Sequence, residues 1–317
     1  MATLQTNLGY IKEIVFTADR ELNVNYIIPC SDEAKMKRCF VLGGGGFIGT
    51  RLINALKIRA FDFLAPRSHE LDLTSFKSIE ILQDLYQEGD HLIILASLNP
   101  YRGNDIGIFC KNLKIADNIM RSINNKIHHI TYVSSDSVYS QFDRLVSDAT
   151  PPSPSTLYGA MHISRELMFN EFSAKLAIVR PTMVFGPDDP HNAYGPNRFL
   201  RSSAENDEIV LFGRGEELRD YIEVNELANH LVDISVSCRT SAFNLVSGKS
   251  FNFYQIAQQI ISYRPSTRII FKPRVSEILH REYTQPKALN LLKNKTNTID
   301  YHIEKLLGNA NEGVQSS

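Results

Sequence analysis

Two hydroxyl side chains in the middle of the chain could move a proton on a bound substrate. Ser135 follows an apolar run typical of a buried strand, and Tyr158 begins a segment with helical periodicity. A phenol can exchange a proton with a substrate hydroxyl or carbonyl, and a serine hydroxyl can hold the same oxygen. Each has an ordinary alternative, since Ser135 could cap the strand end and Tyr158 could lie on a helix surface. Together they indicate an alcohol–ketone site, provided that a hydride carrier binds beside them.

A glycine-rich loop after the first apolar run could hold such a carrier. The run at 39–42 is typical of a buried strand, and apolar residues recur at helical spacing after the glycines. In such a unit, Gly43 permits the tight turn, Gly46 lets the backbone approach a pyrophosphate, and Gly49 lets the helix pack on the strand. The N–H groups at the helix start bind the anion, which favours a dinucleotide site over a plain surface turn. The residues expected on the dinucleotide here are Gly43, Gly46, Phe47, Ile48 and Gly49.

The segment after the second predicted strand bears on which dinucleotide binds. That strand covers residues 60–65, and Arg67 follows where the adenosine ribose would lie. An acid there would bind the 2′-hydroxyl of NAD, whereas a cation pairs with the 2′-phosphate of NADP. Arg67 therefore favours NADP over NAD, with an exposed loop arginine as the alternative. Asp72 could accept from the adenine amino group or cap the helix that begins near Ser75. The other residues expected on the cofactor are Leu73, Leu95 and the small Ala96 and Ser97.

Strands and helices alternate through the first half of the chain. Further strands are predicted at 91–95 and 129–134, and helices at 105–122 and 156–174. Three βα units in series predict an α/β fold with a doubly wound parallel Rossmann sheet, whose ligands bind beyond the carboxyl ends of the strands. The expected organisation is an N-terminal extension at 1–38 that could form a hairpin, a dinucleotide-binding domain at 39–180 to which 221–249 returns, and a smaller C-terminal α/β substrate lobe at 181–220 and 250–317.

Composition excludes several classes of partner. The 34 basic and 35 acidic residues give a net charge of −1 and form no strongly basic tract, so nucleic-acid binding is not expected. The apolar runs are too short to cross a membrane and no signal peptide is recognisable, so we expect a cytoplasmic protein. The four cysteines are scattered without metal-ligand spacing, which favours reduced thiols and no metal site.

Several motifs, in order, resemble those of the extended short-chain dehydrogenase/reductases, the group of nucleotide-sugar epimerases, dehydratases and reductases. The resemblance covers nearly all of residues 39–307. The matching segments are the glycine loop at 41–49, Asn112 in the mid-domain helix, the strand end at 134–139, Tyr158, and later motifs at 180–187, 219–224 and 243–248.

The resemblance implies a sugar-nucleotide substrate, with Ser135 and Tyr158 catalytic and Asn112 near the cofactor. It also places Arg219 against the nucleotide diphosphate, whose oxygens a guanidinium can bind bidentately. A salt bridge from Arg219 to an acid such as Glu217 or Asp220 is the alternative. By analogy with the family, the helices at 105–122 and 156–174 could form a homodimer.

The choice of base and sugar cannot be predicted from the motifs. It depends on side chains in the irregular region 183–215. Asn197 and Arg198 are the candidate substrate contacts there.

One departure from the family pattern concerns catalysis directly. The family has lysine four residues after the tyrosine, and this chain has His162. The lysine binds the nicotinamide ribose, and its charge lowers the tyrosine pKa. Histidine can do the first, but its ordinary pKa of about 6.5 leaves it mostly neutral at neutral pH. We expect a slower or more acid-favouring site, or a ligand-binding protein without turnover. Alternatively, another cation enters from elsewhere in the chain and His162 lies on the helix surface.

A second departure narrows the reaction. In the sugar-nucleotide dehydratases an Asp–Glu pair follows the active-site strand, whereas here Asp136 is followed by Ser137. A 4,6-dehydratase is therefore disfavoured, because half of the acid–base pair is missing. The sequence favours an NAD(P)-dependent reductase or epimerase/reductase of a nucleotide-linked sugar, with Ser135, Asp136, Tyr158 and His162 in the site. The alternatives are a 4-epimerase that retains NAD and a non-catalytic dinucleotide sensor or scaffold.

Overall fold

The structure is a computed structural model that describes residues 36–98, 105–190, 192, 195–284 and 296–312. The hairpin expected within residues 1–38 lies outside the described residues. The described strands are β1 (Arg38–Leu42), β2 (Phe63–Leu64), β3 (Asp90–Ile94), β4 (Ile127–Val133), β5 (Leu145–Val146), β6 (Leu176–Pro181), β7 (Met183–Phe185), β8 (Glu208–Phe212), β9 (Leu218–Arg219), β10 (Tyr221–Glu223), β11 (Ser241–Leu245), β12 (Phe251–Asn252), β13 (Arg268–Lys272) and β14 (Glu282–Tyr283).

The helices of the same residues follow the predicted alternation. They are α1 (Phe47–Ile58), α2 (Lys77–Leu85), α3 (Ile106–Ser122), α4 (Leu157–Phe169), α5 (Pro196–Glu205), α6 (Val224–Val236), α7 (Phe253–Tyr263) and α8 (Ile299–Glu312), with 3₁₀ turns at Asp136–Val138 and Asn170–Lys175.

Six strands form the central sheet, and all of their pairings are parallel. The order across the sheet is β11-β6-β4-β3-β1-β2. The chain leaves β1 toward β2 on one side and returns to β3 on the other, so a crevice opens between the carboxyl ends of β1 and β3. The predicted dinucleotide loop follows β1, and Ala96 and Ser97 follow β3.

Two apolar layers cover the faces of this sheet. Along β1, Cys39 and Val41 pack with α1 and α6, whereas Phe40 and Leu42 pack with α2 and α3. This alternation is expected for a strand buried on both faces, because successive side chains point to opposite sides. The predicted doubly wound α/β fold is therefore confirmed.

A further apolar cluster lies in the C-terminal part of the chain. It joins α5, α7 and α8 with β8 through residues such as Phe199, Ile209, Ile256 and Ile303. β8 pairs with β13 in a separate parallel pair. These elements form the smaller α/β lobe, and the proposed domain boundaries at 180, 220 and 249 remain predictions.

Within the described residues, no helix combines the length and the apolar character needed to cross a membrane.

Candidate active site

The glycine loop brings the ends of two strands and one helix into contact. Gly43 has φ +94°, and a Cβ added there would lie 2.7 Å from the backbone nitrogen of Ala96 at the end of β3. A Cβ on Gly49 would lie 2.3 Å from the carbonyl oxygen of Gly43. α1 begins after Gly46, and no side chain caps its first N–H groups. The loop therefore presents uncapped amides beside the crevice, as a diphosphate requires.

The start of α4 is pressed against the turn that follows β4. Thr156 caps the helix by accepting from the Gly159 amide at 3.1 Å. A Cβ on Gly159 would lie 2.1 Å from the carbonyl oxygen of Ser137, so only glycine permits this approach. The Tyr158 phenol thereby lies close enough to the Ser135 side chain for Ser135 to lower the pKa of Tyr158. The structure thus brings together the two residues expected to act on one oxygen.

The Tyr158 phenol is held in its protonated form. Burial is the main cause that raises its pKa to about 12, and the nearby Asp136 carboxylate acts in the same direction. Arg165 and Ser135 lower it. At neutral pH the side chain is therefore a proton donor.

His162 is buried and packs against two tyrosines. Its side chain is 2% exposed, and its Nδ1 lies 2.8 Å from the Tyr132 hydroxyl. The His162 ring stands perpendicular to the Tyr158 ring, with the ring centres 4.6 Å apart. Burial lowers the pKa of His162 to about 3, with Arg165 adding to the effect. His162 is therefore neutral at physiological pH, and the alternative of a helix-surface residue does not hold.

Asp136 is one of the residues that line a cleft of about 190 Å³. Its Oδ2 accepts from the Tyr283 hydroxyl at 2.6 Å. Arg281 donates to the carbonyl oxygen of Ser140 at 2.5 Å and approaches that of Asp136 at 3.5 Å. β14 thus fixes the active-site turn from the C-terminal part of the chain.

The predicted substrate residues do not all face this cleft. Arg219 lines it with Asp136, and it forms an ion pair with Glu217, the alternative partner considered from the sequence. Asn197 is buried, accepts from the Gly186 amide at 3.1 Å and donates to Asp189 at 2.8 Å. Arg198 is exposed, and neither it nor Asn197 lines the cleft in the described structure.

The residues expected at the adenosine and ribose end differ in exposure and in hydrogen bonding, and their role there remains a prediction. Arg67 is exposed, and Asp72 accepts from the amide and hydroxyl of Thr74 at 2.9 and 2.7 Å. Asn112 is buried in α3 and bonds the amide and carbonyl of Leu98, at 2.8 and 3.0 Å, which fixes the chain after β3. The half-buried remaining positions are Leu73, Leu95, Ala96 and Ser97.

Two charged residues of α4 were missed by the sequence reasoning. Arg165 is fully buried, and its Nη2 donates to the carbonyl oxygen of Ala96 at 2.8 Å. Glu166 forms a buried ion pair with Arg180 at 2.6 Å and accepts from the Ser134 hydroxyl at 2.6 Å. The available signal for Arg165 was its spacing, because it follows Tyr158 by seven positions and His162 by three, which places Tyr158, His162 and Arg165 on one helix face.

A histidine–cysteine group lies toward the other end of the sheet. The possible ligand atoms of His91, His128 and Cys238 are within 4.8 Å of one another. Local spacing in the sequence could not show this, since the three residues come from distant segments. The absence of a metal site remains a prediction.

Comparison with known proteins identifies the family. Residues 39–243 match the NAD dependent epimerase/dehydratase family. The chain belongs to this family.

The chain is similar to proteins of known name at low sequence identity. GDP-L-fucose synthase 1 of Arabidopsis thaliana is 26% identical over 235 residues, which are 62% of this chain and 68% of the relative. The structure of UDP-N-acetylglucosamine 4-epimerase from Bacillus cereus superposes with a TM-score of 0.70 at 21% identity, over 85% of this chain and 99% of that one. The structure of MoeE5 in complex with UDP-glucose and NAD superposes with a TM-score of 0.71 at 18% identity, over 87% of this chain and 99% of that one.

Proposed function

We propose that this protein is an NAD(P)-dependent oxidoreductase that acts on a nucleotide-linked sugar. It would reduce a keto-sugar or epimerise a sugar through a transient ketone. The observation that carries this proposal is the protonated Tyr158 phenol close to Ser135, at the end of the sheet where the glycine loop opens. Family membership and the structural similarity to a protein in complex with UDP-glucose and NAD support it.

The residues around the crevice fit a dinucleotide. The uncapped amides of α1 suit a diphosphate, and a side chain at Gly43 or Gly49 would close the loop. Arg67 is exposed and would pair with a 2′-phosphate, which favours NADP, whereas NAD needs no such cation. When bound, NAD(P) would supply or accept the hydride.

The chain's own residues would control the proton and the substrate oxygen. In the reducing direction, Tyr158 gives its proton to the carbonyl oxygen, and in the oxidising direction the phenolate takes a proton back. Ser135 holds the same oxygen by a hydrogen bond. His162, being neutral, orients the nicotinamide ribose but adds no charge. Asp136, tied to Tyr283, borders the substrate cleft.

The nucleotide would bind beyond Asp136. Arg219 is the candidate for the diphosphate, and its present partner Glu217 is also bound by Arg274 at 2.6 Å. Glu217 could therefore release Arg219 to phosphate oxygens and keep a cationic partner. Asn197 and Arg198 remain candidates for contacts to base or sugar.

Two alternative functions are each favoured by one observation. A 4-epimerase that retains its NAD is favoured by the structural similarity to UDP-N-acetylglucosamine 4-epimerase. A non-catalytic sensor or scaffold is favoured by the neutral His162 in place of lysine.

The experiment has two stages. Binding of NADPH and of NADH is followed by fluorescence, and the purified protein is then assayed with GDP- and UDP-linked keto-sugars. We expect NADPH to bind and at least one keto-sugar to be reduced. Absence of binding by both cofactors contradicts the proposal and the epimerase alternative together. Copurified NAD with turnover in the absence of NADPH favours the epimerase, and binding without turnover favours the sensor.

We also propose that the protein forms a homodimer. α3 and α4 pack on each other and carry exposed apolar side chains, Ile106, Leu157 and Leu167. A second copy covering these helices would give a homodimer. A cytoplasmic location and the absence of nucleic-acid or membrane partners remain predictions.

A further inference from the structure

The proposed reaction leaves a negative charge on Tyr158. When the phenol gives its proton to a substrate oxygen, it becomes a phenolate, and a nearby positive charge favours that form. His162 occupies the position of the family's lysine but is neutral, because burial lowers its pKa to about 3. Another group must therefore supply the charge, if the proposed function is correct.

Arg165 lies one helical turn beyond His162 on α4. It is fully buried, yet arginine stays protonated in proteins. Its guanidinium lies 5.0 Å from the centre of the Tyr132 ring, whose hydroxyl is hydrogen-bonded to His162. Its Nη2 donates to the Ala96 carbonyl oxygen at 2.8 Å, so the cation contacts the chain just after β3, where the crevice opens.

No carboxylate of the described residues forms an ion pair with Arg165. Its neighbour Glu166 is held instead by Arg180 and Ser134. The Nε and Nη1 atoms of Arg165 have no hydrogen-bond partner within the described ranges. No carboxylate of the described residues neutralises the guanidinium, so its positive charge acts on the neighbouring side chains.

The phenol of Tyr158 is one of those groups. The charge of Arg165 lowers the pKa of Tyr158 and opposes the rise caused by burial and by Asp136. It lowers the pKa of His162 as well, which explains why a neutral side chain suits position 162. A lysine there would bury a second cation on the same helix face.

We propose that Arg165 is a positioning residue that supplies, from one turn further along α4, the fixed positive charge for the Tyr158 phenolate. His162 and Arg165 together then replace the single lysine of the family pattern. The imidazole fills the site beside the phenol, and the guanidinium carries the charge.

The test measures the ionisation of the phenol in the full chain without any ligand. A fluorinated tyrosine at position 158, whose ring fluorines acidify the phenol, is titrated by ¹⁹F NMR. In Arg165→Met we expect the phenol pKa to rise by about one unit or more, which is a tenfold loss of phenolate at a given pH. Arg165→Lys, which keeps the charge, should leave the pKa near that of the parent protein. Arg165→Met with His162→Lys should bring it back down.

The experiment also needs a matched control variant and a measurement on the parent protein. Arg121→Met removes an exposed arginine of α3 and should leave the phenol pKa unchanged. In case Arg165→Met does not fold, the ¹³Cζ resonance of Arg165 is followed in the parent protein while the phenol titrates. We expect it to shift with the phenol. A folded Arg165→Met protein with an unmoved phenol pKa, or an Arg165 resonance that stays flat throughout, overturns the proposal.

These readouts separate the inference from the function on which it rests. Turnover of a keto-sugar together with an unmoved phenol pKa in Arg165→Met would leave the proposed function standing and refute the role of Arg165. A shifted phenol pKa in a protein that binds neither cofactor would establish the charge coupling and refute the function.

Discussion

At the scale of single residues, the proposed chemistry depends on which groups hold protons. The Tyr158 phenol, with its pKa raised to about 12, enters a reduction as the proton donor. His162, with its pKa lowered to about 3, undergoes no change of charge between pH 5 and 8. The pH dependence of turnover should therefore not report His162, and the acid-favouring behaviour considered from the sequence has no titrating imidazole to cause it.

Tyr158→Phe removes the transferable proton and little else. We expect kcat to fall by about 100-fold or more, because general acid–base catalysis contributes that much. The Kd for NADPH, measured by fluorescence, should stay within about twofold, since the phenol acts on the substrate oxygen. Tyr254→Phe is the matched control, because Tyr254 is an exposed tyrosine of α7. Near-normal turnover by Tyr158→Phe would refute the assignment of the phenol.

The sequence predicted the pairing of Ser135 with Tyr158, because strand ends and helix starts meet at one edge of a parallel sheet. It did not predict the charge states. The neutrality of His162 and the burial of Arg165 depend on how deeply α4 packs against β3 and β4, and helical spacing shows which face they share but not what covers that face.

At the scale of elements, the site depends on close approaches of backbone that only glycine permits. Gly49 presses α1 against the turn after β1, and Gly159 presses α4 against the turn after β4. The two helices thereby deliver the amides of the loop and the phenol of Tyr158 to the same edge of the sheet.

Gly49→Ala should disturb the dinucleotide loop. The new Cβ would lie 2.3 Å from the Gly43 carbonyl oxygen, so α1 must move away. We expect a loss of unfolding free energy of about 1–3 kcal/mol, as is typical of overpacking, and weaker NADPH binding. Urea denaturation and fluorescence titration measure the two effects. Gly45→Ala is the control in the same loop, because a Cβ there meets nothing within 4 Å. Equal behaviour of the two variants would contradict the packing argument.

Element boundaries were predicted less well than element order. The second strand, expected at 60–65, is reduced to Phe63–Leu64, because Ala60 has φ +56° and belongs to the turn that ends α1. The helix expected at 156–174 ends at Phe169 and continues as a 3₁₀ turn, where Phe172 has non-helical dihedral angles. Both changes are set by tertiary packing at helix ends, which a periodic pattern does not encode.

At the scale of the whole molecule, several histidines are buried in their neutral form. Burial lowers the pKa of His91 and of His129 to about 4 and that of His162 to about 3. Below pH 6.5, the ordinary pKa of histidine, these three side chains bind protons in the unfolded chain, whereas in the folded chain they stay neutral down to about pH 4. Their stabilising effect is thus present above pH 6.5 and is lost as the pH falls toward about 4.

We expect the protein to be less stable at pH 5 than at pH 7.5. Each of the three histidines should contribute a loss of about 2 kcal/mol at pH 5. Asp220 and Asp148 act in the opposite direction, since burial raises the pKa of both, that of Asp220 to about 7, whereas the lowered pKa of His230 adds to the effect of the three histidines. Urea denaturation at both pH values measures the difference. His129→Gln should reduce it, and His69→Gln, at an exposed position, should not. Equal stability at the two pH values would contradict the burial of neutral imidazoles.

The proposed homodimer can be tested on the surface of α4. Leu167 is 69% exposed and lies on the side of α4 that faces away from the sheet. Leu167→Asp should convert a dimer into a monomer in analytical ultracentrifugation, because burying a carboxylate in an apolar interface is unfavourable. Ile58→Asp is the control, since Ile58 is 77% exposed at the end of α1. A parent protein that sediments as a monomer would refute the assembly.

The doubly wound sheet could be predicted because its strands are continuous apolar runs separated by helical periods. The C-terminal part could not be predicted in the same detail. Its strands at β9, β10, β12 and β14 span only two or three residues, and their pairing joins segments far apart in the chain. The support that Tyr283 and Arg281 give to Asp136 arises from such a pairing.

The central claim is that a nicotinamide ring comes within reach of the Tyr158 phenol. A crystal structure of the protein soaked with NADP⁺ tests it most directly. We expect the diphosphate on the amides at the start of α1 and the reactive carbon of the nicotinamide within about 4 Å of the Tyr158 hydroxyl, close to the separation that reacting groups require. A dinucleotide bound with its nicotinamide away from Tyr158, or a crevice that stays closed to NADP⁺ and to NAD⁺ alike, would contradict the account.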